Sequence, residues 1–258
     1  MNKESIEKLL QYNKEERAIT PKVFEKWREK KESVNIYSFV YNNNIHYAIE
    51  YFFVDNDILQ TKNCFYVCGL IDEYCVNNYN STFLDYGIYH VCYAVLSDNE
   101  EMIQRYAKLR YKAYGKRLSM DEYVLKGEGA ILCNTIQFFM ENNNEGIERN
   151  LNIYELKKTK ILRSSKTGEL DYDFFKALYT ENKGNMENIL EKFLTPKIHK
   201  YRTNDIILDK FISLPAIGYA KLAWRKGIEV EVNSKLVPKE LLPVQPLEDY
   251  EIPYEFLK

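Results

Sequence analysis

The residues able to do chemistry beyond packing are three histidines, five cysteines and a few adjacent carboxylates. His46, His90 and His199 lie 44 and 109 residues apart, so no two share a helical turn as a helix-borne zinc site requires. His90, within YGIYHVCYAVL, reads as a packed helix residue with a hydrogen-bond partner. Cys64, Cys68 and Cys75 fall within about 40° of one another on a helical wheel, a stripe that Ile71 shares. A metal is the sharper reading of such a stripe. Yet Cys75 would stand about 10 Å along the axis from Cys68, while zinc holds its thiolates at about 2.3 Å. The three cannot share one ion, and they read as a buried apolar stripe, with Cys92 and Cys133 as further core residues.

Other signatures fail in the same way. KGEGA (126–130) contains a G-x-G but lacks the third glycine and the preceding βα unit of a dinucleotide loop. No GxSxG or GKS/T pattern and no SxxK-type triplet of motifs is present. The carboxylate pairs Asp72-Glu73, Glu100-Glu101 and Asp171/Asp173 have the spacing of solvated helix faces. No catalytic residue, cofactor or metal ligand is predicted, and the chain is not expected to be an enzyme.

Charge distribution carries more information. From Asn63 to Gln104 there is no Lys or Arg but there are six acids: Asp72, Glu73, Asp85, Asp98, Glu100 and Glu101. Tyr66, Tyr74, Tyr79, Tyr86, Tyr89 and Tyr93 are mixed among them. Two readings are open. This stretch forms an acidic, tyrosine-rich face that holds a basic partner, or the tyrosines face the core and the acids are merely solvated. On the first reading the contact residues are Asp72, Glu73, Asp85 and Glu101, with Tyr79 and Tyr86. The stretch 196–226 has the opposite bias, seven Lys/Arg against two acids, and is expected to pair with the acidic tail 229–255 rather than with RNA or DNA.

The elements that would position these groups are helices. Proline is absent from 22 to 195, and the whole chain has only ten glycines. Strands need frequent turn residues between them, so a long stretch without either residue predicts helix. Helices are expected near 3–12, 44–54, 57–76, 80–97, 172–181, 186–194 and 205–226. Thr20-Pro21, Asp98 with Glu101, and Asp121 are expected to open further ones. NNN at 42–44, NNYN at 77–80 and NNN at 142–144 read as polar joints, and 162–173 as a mobile loop. SVNIYSFVY (33–41) suits strand by composition and helix by position.

Hydrophobic residues make up 45% of the 258, enough for a core, and the net charge of -2 gives no global reason to expect nucleic acid as partner. The N-terminus, MNKESIEKLLQYNKEER, is too charged for a secretory leader, and no apolar run is long enough to span a membrane. Irregularly spaced cysteines fit reduced thiols, so a cytoplasmic location is expected.

Near the C-terminus, LPAIGYAKLAWRKGIEVEVNSKLVPKELLP (214–243) reads as a structural end. Ala216, Gly218, Ala220 and Ala223 let a helix approach its neighbour closely. Pro215 forces that helix to start afresh, with Ser213 as its cap, or to kink. Gly227 stops it, and Ile228, Val230 and Val232 alternate with Glu229 and Glu231. The tail carries Leu247, Tyr250, Ile252, Tyr254, Phe256 and Leu257 to hold it on the surface.

SLPAIGYAKLAWRKGIEVEV followed by SKLVPKELLP, with TPKIHKYRTN upstream, resembles the C-terminal signature of the immunity-49 family of bacterial polymorphic toxin systems. The resemblance implies an all-helical inhibitor that binds a cognate toxin domain and carries no catalytic motif. The expected fold is an all-α array or bundle of antiparallel helix pairs, with at most a short β segment near 228–232. It is read as a single helical domain over 1–258, with 227–258 as an extended tail packed on it. The alternative is a helical-repeat adaptor that binds a peptide or regulatory protein in a concave groove.

Overall fold

Where proline is absent and glycine scarce, helix follows helix. The structure, a computed structural model, describes residues 2–30, 34–128, 130–164, 167–203 and 205–258. Among these, twelve α-helices form and no strand does. They are α1 (Lys3–Lys30), α2 (Val34–Glu50), α3 (Ile58–Tyr79), α4 (Ile88–Leu96), α5 (Glu100–Ala107), α6 (Met120–Leu125), α7 (Ile131–Met140), α8 (Asn144–Ser164), α9 (Gly168–Tyr179), α10 (Lys183–Phe193), α11 (Pro196–Arg202) and α12 (Ala216–Arg225). The fold is all-α, built from antiparallel helix pairs. α3 is central and packs on α2, α4 and α5, while α12 lies against α4 and α10.

Tertiary packing moved several boundaries. Thr20-Pro21 opens no helix, since α1 runs straight through Pro21 and the Thr20 hydroxyl donates to Glu16 O at 2.7 Å. Anchors on both sides of the proline hold one axis: Asn13 donates to His46 O and Glu50 Oε2 on α2, and Phe24 stacks on Tyr254. The ambiguous 33–41 segment is helical from Val34. The 42–44 asparagines are therefore inside α2, not in a joint. Asn43 and Asn44 are buried, and Asn44 Nδ2 donates to Val40 O and Tyr254 Oη. The helix then widens into a π turn (Tyr51–Asp55), which Asn56 ends at φ 55°. Asp57 caps α3 by accepting from Gln60 N.

Asp98 is not the cap of α5. Asn99 accepts from Met102 N in that role, while Asp98 turns inward at φ 59°. Ser119 rather than Asp121 caps α6, forming a capping box with Glu122. Most of the loop expected at 162–173 is helix, in α8 and α9, with 165–166 outside the described residues. The helix expected over 205–226 is broken. A 3₁₀ turn (Leu208–Lys210) precedes the cis Leu214–Pro215 bond, and α12 starts afresh at Ala216. Ser213 does not cap it by its hydroxyl, which bonds His199 Nδ1 at 2.9 Å.

The close approach read from small residues is present. A Cβ at Gly218 would lie 2.2 Å from Cys92 Sγ of α4. Gly227, at φ 78°, ends α12 as expected. Beyond it Val230 and Val232 are buried and Glu229 and Glu231 exposed, so the alternation survives as an extended segment without a sheet partner. The tail then crosses α3: Asn63 exchanges two hydrogen bonds with the Glu251 backbone, and Tyr250 donates to Ser97 O. Phe256 joins Tyr37, Tyr74 and Trp27 in an aromatic cluster.

Candidate functional site

The acidic stretch is distributed between core and surface. Asp72 is fully buried on α3, where its carboxylate accepts from His90 Nδ1 at 2.8 and 3.0 Å and from the Tyr106 hydroxyl at 2.8 Å. Its expected exposure is thus corrected. A carboxylate facing the α4 and α5 helices meets hydrogen-bond donors there instead of water. Glu73, one residue on, retains 19% side-chain exposure and pairs with Arg105 of α5 at 2.8 Å. Arg105 also reaches Glu101, whose side chain is 89% exposed. Asp85 is partly buried and accepts from Tyr111 Oη at 2.5 Å. Burial pushes its carboxyl up, against the pull of that hydrogen bond and of Arg117. Tyr79 shares a 2.8 Å hydroxyl contact with Tyr37 and keeps part of its ring exposed. The side chain of Tyr86 lies outside the described residues. Glu73 and Glu101 are thus brought together around Arg105, while Tyr79 and Asp85 are tied to separate partners.

The lack of Lys and Arg between 63 and 104 is made up from elsewhere in the chain. Lys62 and Lys221 meet Asp98 at 2.9 and 2.7 Å, and Arg225 pairs with Glu100. Tyr66, Tyr74 and Tyr93 pack on other rings. The second of the two open readings describes most of these tyrosines. The basic stretch 196–226 also pairs differently than expected. Arg202 meets Asp171, and Lys221 and Arg225 meet Asp98 and Glu100. The tail acids Glu231 and Glu255 lie instead within ion-pair distance of Lys183 and Arg28. Lys221 does reach the tail, but at the Pro243 backbone carbonyl rather than a tail carboxylate, while Lys197, Lys200 and Lys210 are exposed.

A cavity of about 290 Å³ opens between α2, α4, Thr203 and the 205–214 segment. Helical spacing puts Tyr41, Ile45 and His46 of α2, and Tyr89, His90 and Tyr93 of α4, on its walls. Thr203, Asp205, Leu208, Ile212 and Leu214 close it. His90 stacks on Tyr41 at 4.1 Å and on Phe83 at 5.4 Å, and Asp72 holds its Nδ1. His46 faces Asn42 O through Nδ1 and Asp205 Oδ2 through Nε2, at 2.9 and 3.0 Å. Burial works against the Asp205 carboxylate, but His46 and the backbone N–H groups of Leu208 and Ile207 hold its pKa below the ordinary value.

Both histidines and both carboxylates here are engaged with one another or with the core. Sequence reasoning anticipated a partner for His90 but not this cavity, because His46, His90 and Asp205 are joined only by folding. Among the described residues, no group of three or more His, Cys, Asp or Glu is placed to hold a metal ion. The Cys64, Cys68 and Cys75 stripe is buried, and burial pushes the Cys64 thiol up to about 12.

The family model described as Immunity protein 49 matches residues 69–241. The chain belongs to the immunity protein 49 family. No curated protein and no solved structure matches it. The Immunity protein 49 match begins within α3, takes in α4 to α12, and ends in the 3₁₀ turn Lys239–Leu241. It therefore contains His90, Asp205 and every residue nominated as an acidic contact, together with nearly all of the C-terminal signature. In this immunity protein 49 member, α1, α2 and the last part of the tail lie outside the match. Among the described residues, no helix is long and apolar enough to cross a membrane.

Proposed function

We propose that the chain protects a cell by binding a cognate toxin domain in a tight, stoichiometric complex in the cytoplasm. The family match over residues 69–241 carries this reading. Neutralisation needs slow dissociation, with affinity of about 1 nM or tighter, near -12 kcal/mol. The contact face proposed is the acidic, tyrosine-bearing one, with Glu101 and Glu73 around Arg105, and with Asp85, Tyr79 and Tyr86. Asp72 contributes to it only as buried support for His90 and Tyr106. Such a face favours a basic toxin and acts mainly on its rate of capture.

The test is co-expression of the toxin domain encoded beside this chain, with and without the protein, followed by co-purification. Rescue of growth and a one-to-one complex are expected, and a toxin that kills regardless and does not co-purify overturns the reading. Glu101→Lys should slow association several-fold and weaken its salt dependence, while leaving dissociation nearly unchanged. Unaltered association kinetics would remove this face from the proposal.

A further inference from the structure

Between α5 and α6 the chain runs KLRYKAYGKRL (108–118), five basic residues without an acid. Tyr111 and Met120 are buried at the feet of this segment, and residues 112–116 between them are all exposed. The exposed part is held in shape by the backbone. Tyr114 and Arg117 exchange both backbone hydrogen bonds, at 3.0 and 2.9 Å, around a two-residue turn that Gly115 allows at φ 58°. Met120 N closes the base on Tyr111 O at 3.2 Å. Asn80, at the end of α3, clasps the flank. Its side chain exchanges two hydrogen bonds with the Lys112 backbone, and its carbonyl accepts from Arg117.

The turn presents Tyr114, 79% exposed, between the exposed Lys112 and Lys116. Among the described residues these three side chains have no hydrogen-bond, ion-pair or ring partner. A lone exposed side chain is ordinary on a protein surface. This one differs because the backbone beneath it is already fixed, so a partner that takes it up loses little ordering entropy. A tyrosine so held offers a large face and a hydroxyl, the properties of an interface anchor. Its place matters as well. Asn80 follows Tyr79 in the chain, and Tyr111 donates to Asp85, so the turn stands at the edge of the contact face proposed above.

Charge decides the partner. Lys112 and Lys116 have no carboxylate of their own chain, so a surface that receives Tyr114 is best supplied with carboxylates. Asp121 and Glu122 follow in the first turn of α6, both exposed, and would repel a polyanion lying along the segment. A nucleic acid is continuously negative and is held by many cations together, whereas a protein recess is acidic at one spot. We propose that the 112–117 turn is a preformed anchor that inserts Tyr114 into an acidic recess of the toxin domain, with Lys112 and Lys116 meeting carboxylates at its rim. The proposal rests on the reading that the chain binds a toxin. Acidity of a recess is a local property, compatible with a toxin that is basic as a whole.

The test measures binding of the purified toxin domain to the unaltered chain, to Tyr114→Ala and to the double variant Lys112→Glu/Lys116→Glu. Tyr114→Ala should raise the dissociation constant about tenfold or more, mainly through faster dissociation. The double charge reversal should slow association several-fold at low salt, with the difference shrinking at high salt. Binding by both variants equal to that of the unaltered chain overturns the anchor and leaves the complex standing. If the unaltered chain binds no toxin, the complex falls and the anchor with it. A short DNA duplex serves as the competing polyanion. Duplex binding by the unaltered chain that the charge reversal abolishes would assign the turn to nucleic acid and overturn the proposal. Both variants alter exposed side chains that have no partner, so their melting curves should superpose on that of the unaltered chain. A variant that melts lower is set aside and the other decides.

Discussion

At the scale of single residues, the most unusual group is Lys221. It is fully enclosed, donates to Asp98 at 2.8 Å and to Pro243 O at 2.8 Å, and lies with Lys62 and Arg225 around that one carboxylate. Burial, opposed by Asp98 but reinforced by Lys62 and Arg225, pushes its ammonium down to about 8 from 10.5. Between those values the folded chain binds fewer protons than the unfolded chain, so the Lys221 contribution to stability rises with pH across that window. Below it the full cost of the buried charge is present. Urea melts from pH 8 to 9.5 should therefore show a rising component, on the order of 2 kcal/mol, that Lys221→Met removes. Parallel curves for the two proteins would refute the shift. Asp72 permits a second test. Asp72→Ala removes the acceptor of His90 and Tyr106 and should cost about 3 kcal/mol in denaturant melts. It should leave the toxin association rate of the folded fraction unchanged, because the carboxylate is buried rather than a contact.

At the scale of elements, α12 shows how small residues set a distance. The approach of α12 to α4 leaves no room for a side chain at Gly218, where a Cβ would lie 2.2 Å from Cys92 Sγ and 3.3 Å from Cys92 Cα. The sulfur can be removed but the backbone cannot. Gly218→Val should destabilise by about 1–3 kcal/mol, and Cys92→Ala added to it should recover part of the loss. Additivity of the two substitutions in melting experiments would mean that the helices do not meet there. The same element shows what was readable beforehand. Its glycine stop and small-residue face are local properties, and both occur where the residues predict. Its start at Ala216 was one of two open possibilities. It was decided when Ser213 was drawn to His199 and its backbone N–H to Leu236 O.

For the molecule as a whole, the tail links the ends of the chain. Lys62 and Lys221 donate to the carbonyls of Gln245 and Pro243, and Tyr254 and Phe256 stack on Phe24 of α1. Ending the chain after Leu242 strips two buried ammonium groups of their backbone acceptors and exposes the aromatic cluster. A loss of about 3 kcal/mol corresponds to a melting temperature lower by about 6–12 °C for a chain of this size. Limited proteolysis should then cut α1 sooner. An unchanged melting temperature and cleavage pattern would show the tail to be a passive appendage.

The sequence by itself determined the helical class, the Gly227 stop, the apolar cysteine stripe and the family signature, since each depends on neighbours within a few turns, whereas the asparagines at 42–44 lie inside α2. Only the tertiary structure decided which charges meet. Asp98 finds Lys221 across 123 positions, and His46 finds Asp205 across 159, so no local spacing could announce either pair. For the same reason the acidic stretch looked unbalanced when read along the chain, whereas in space Asp98 and Glu100 meet Lys62, Lys221 and Arg225 and Glu101 stays exposed. Burial turns Asp72 into a core hydrogen-bond acceptor, and long-range packing creates the cavity beside it.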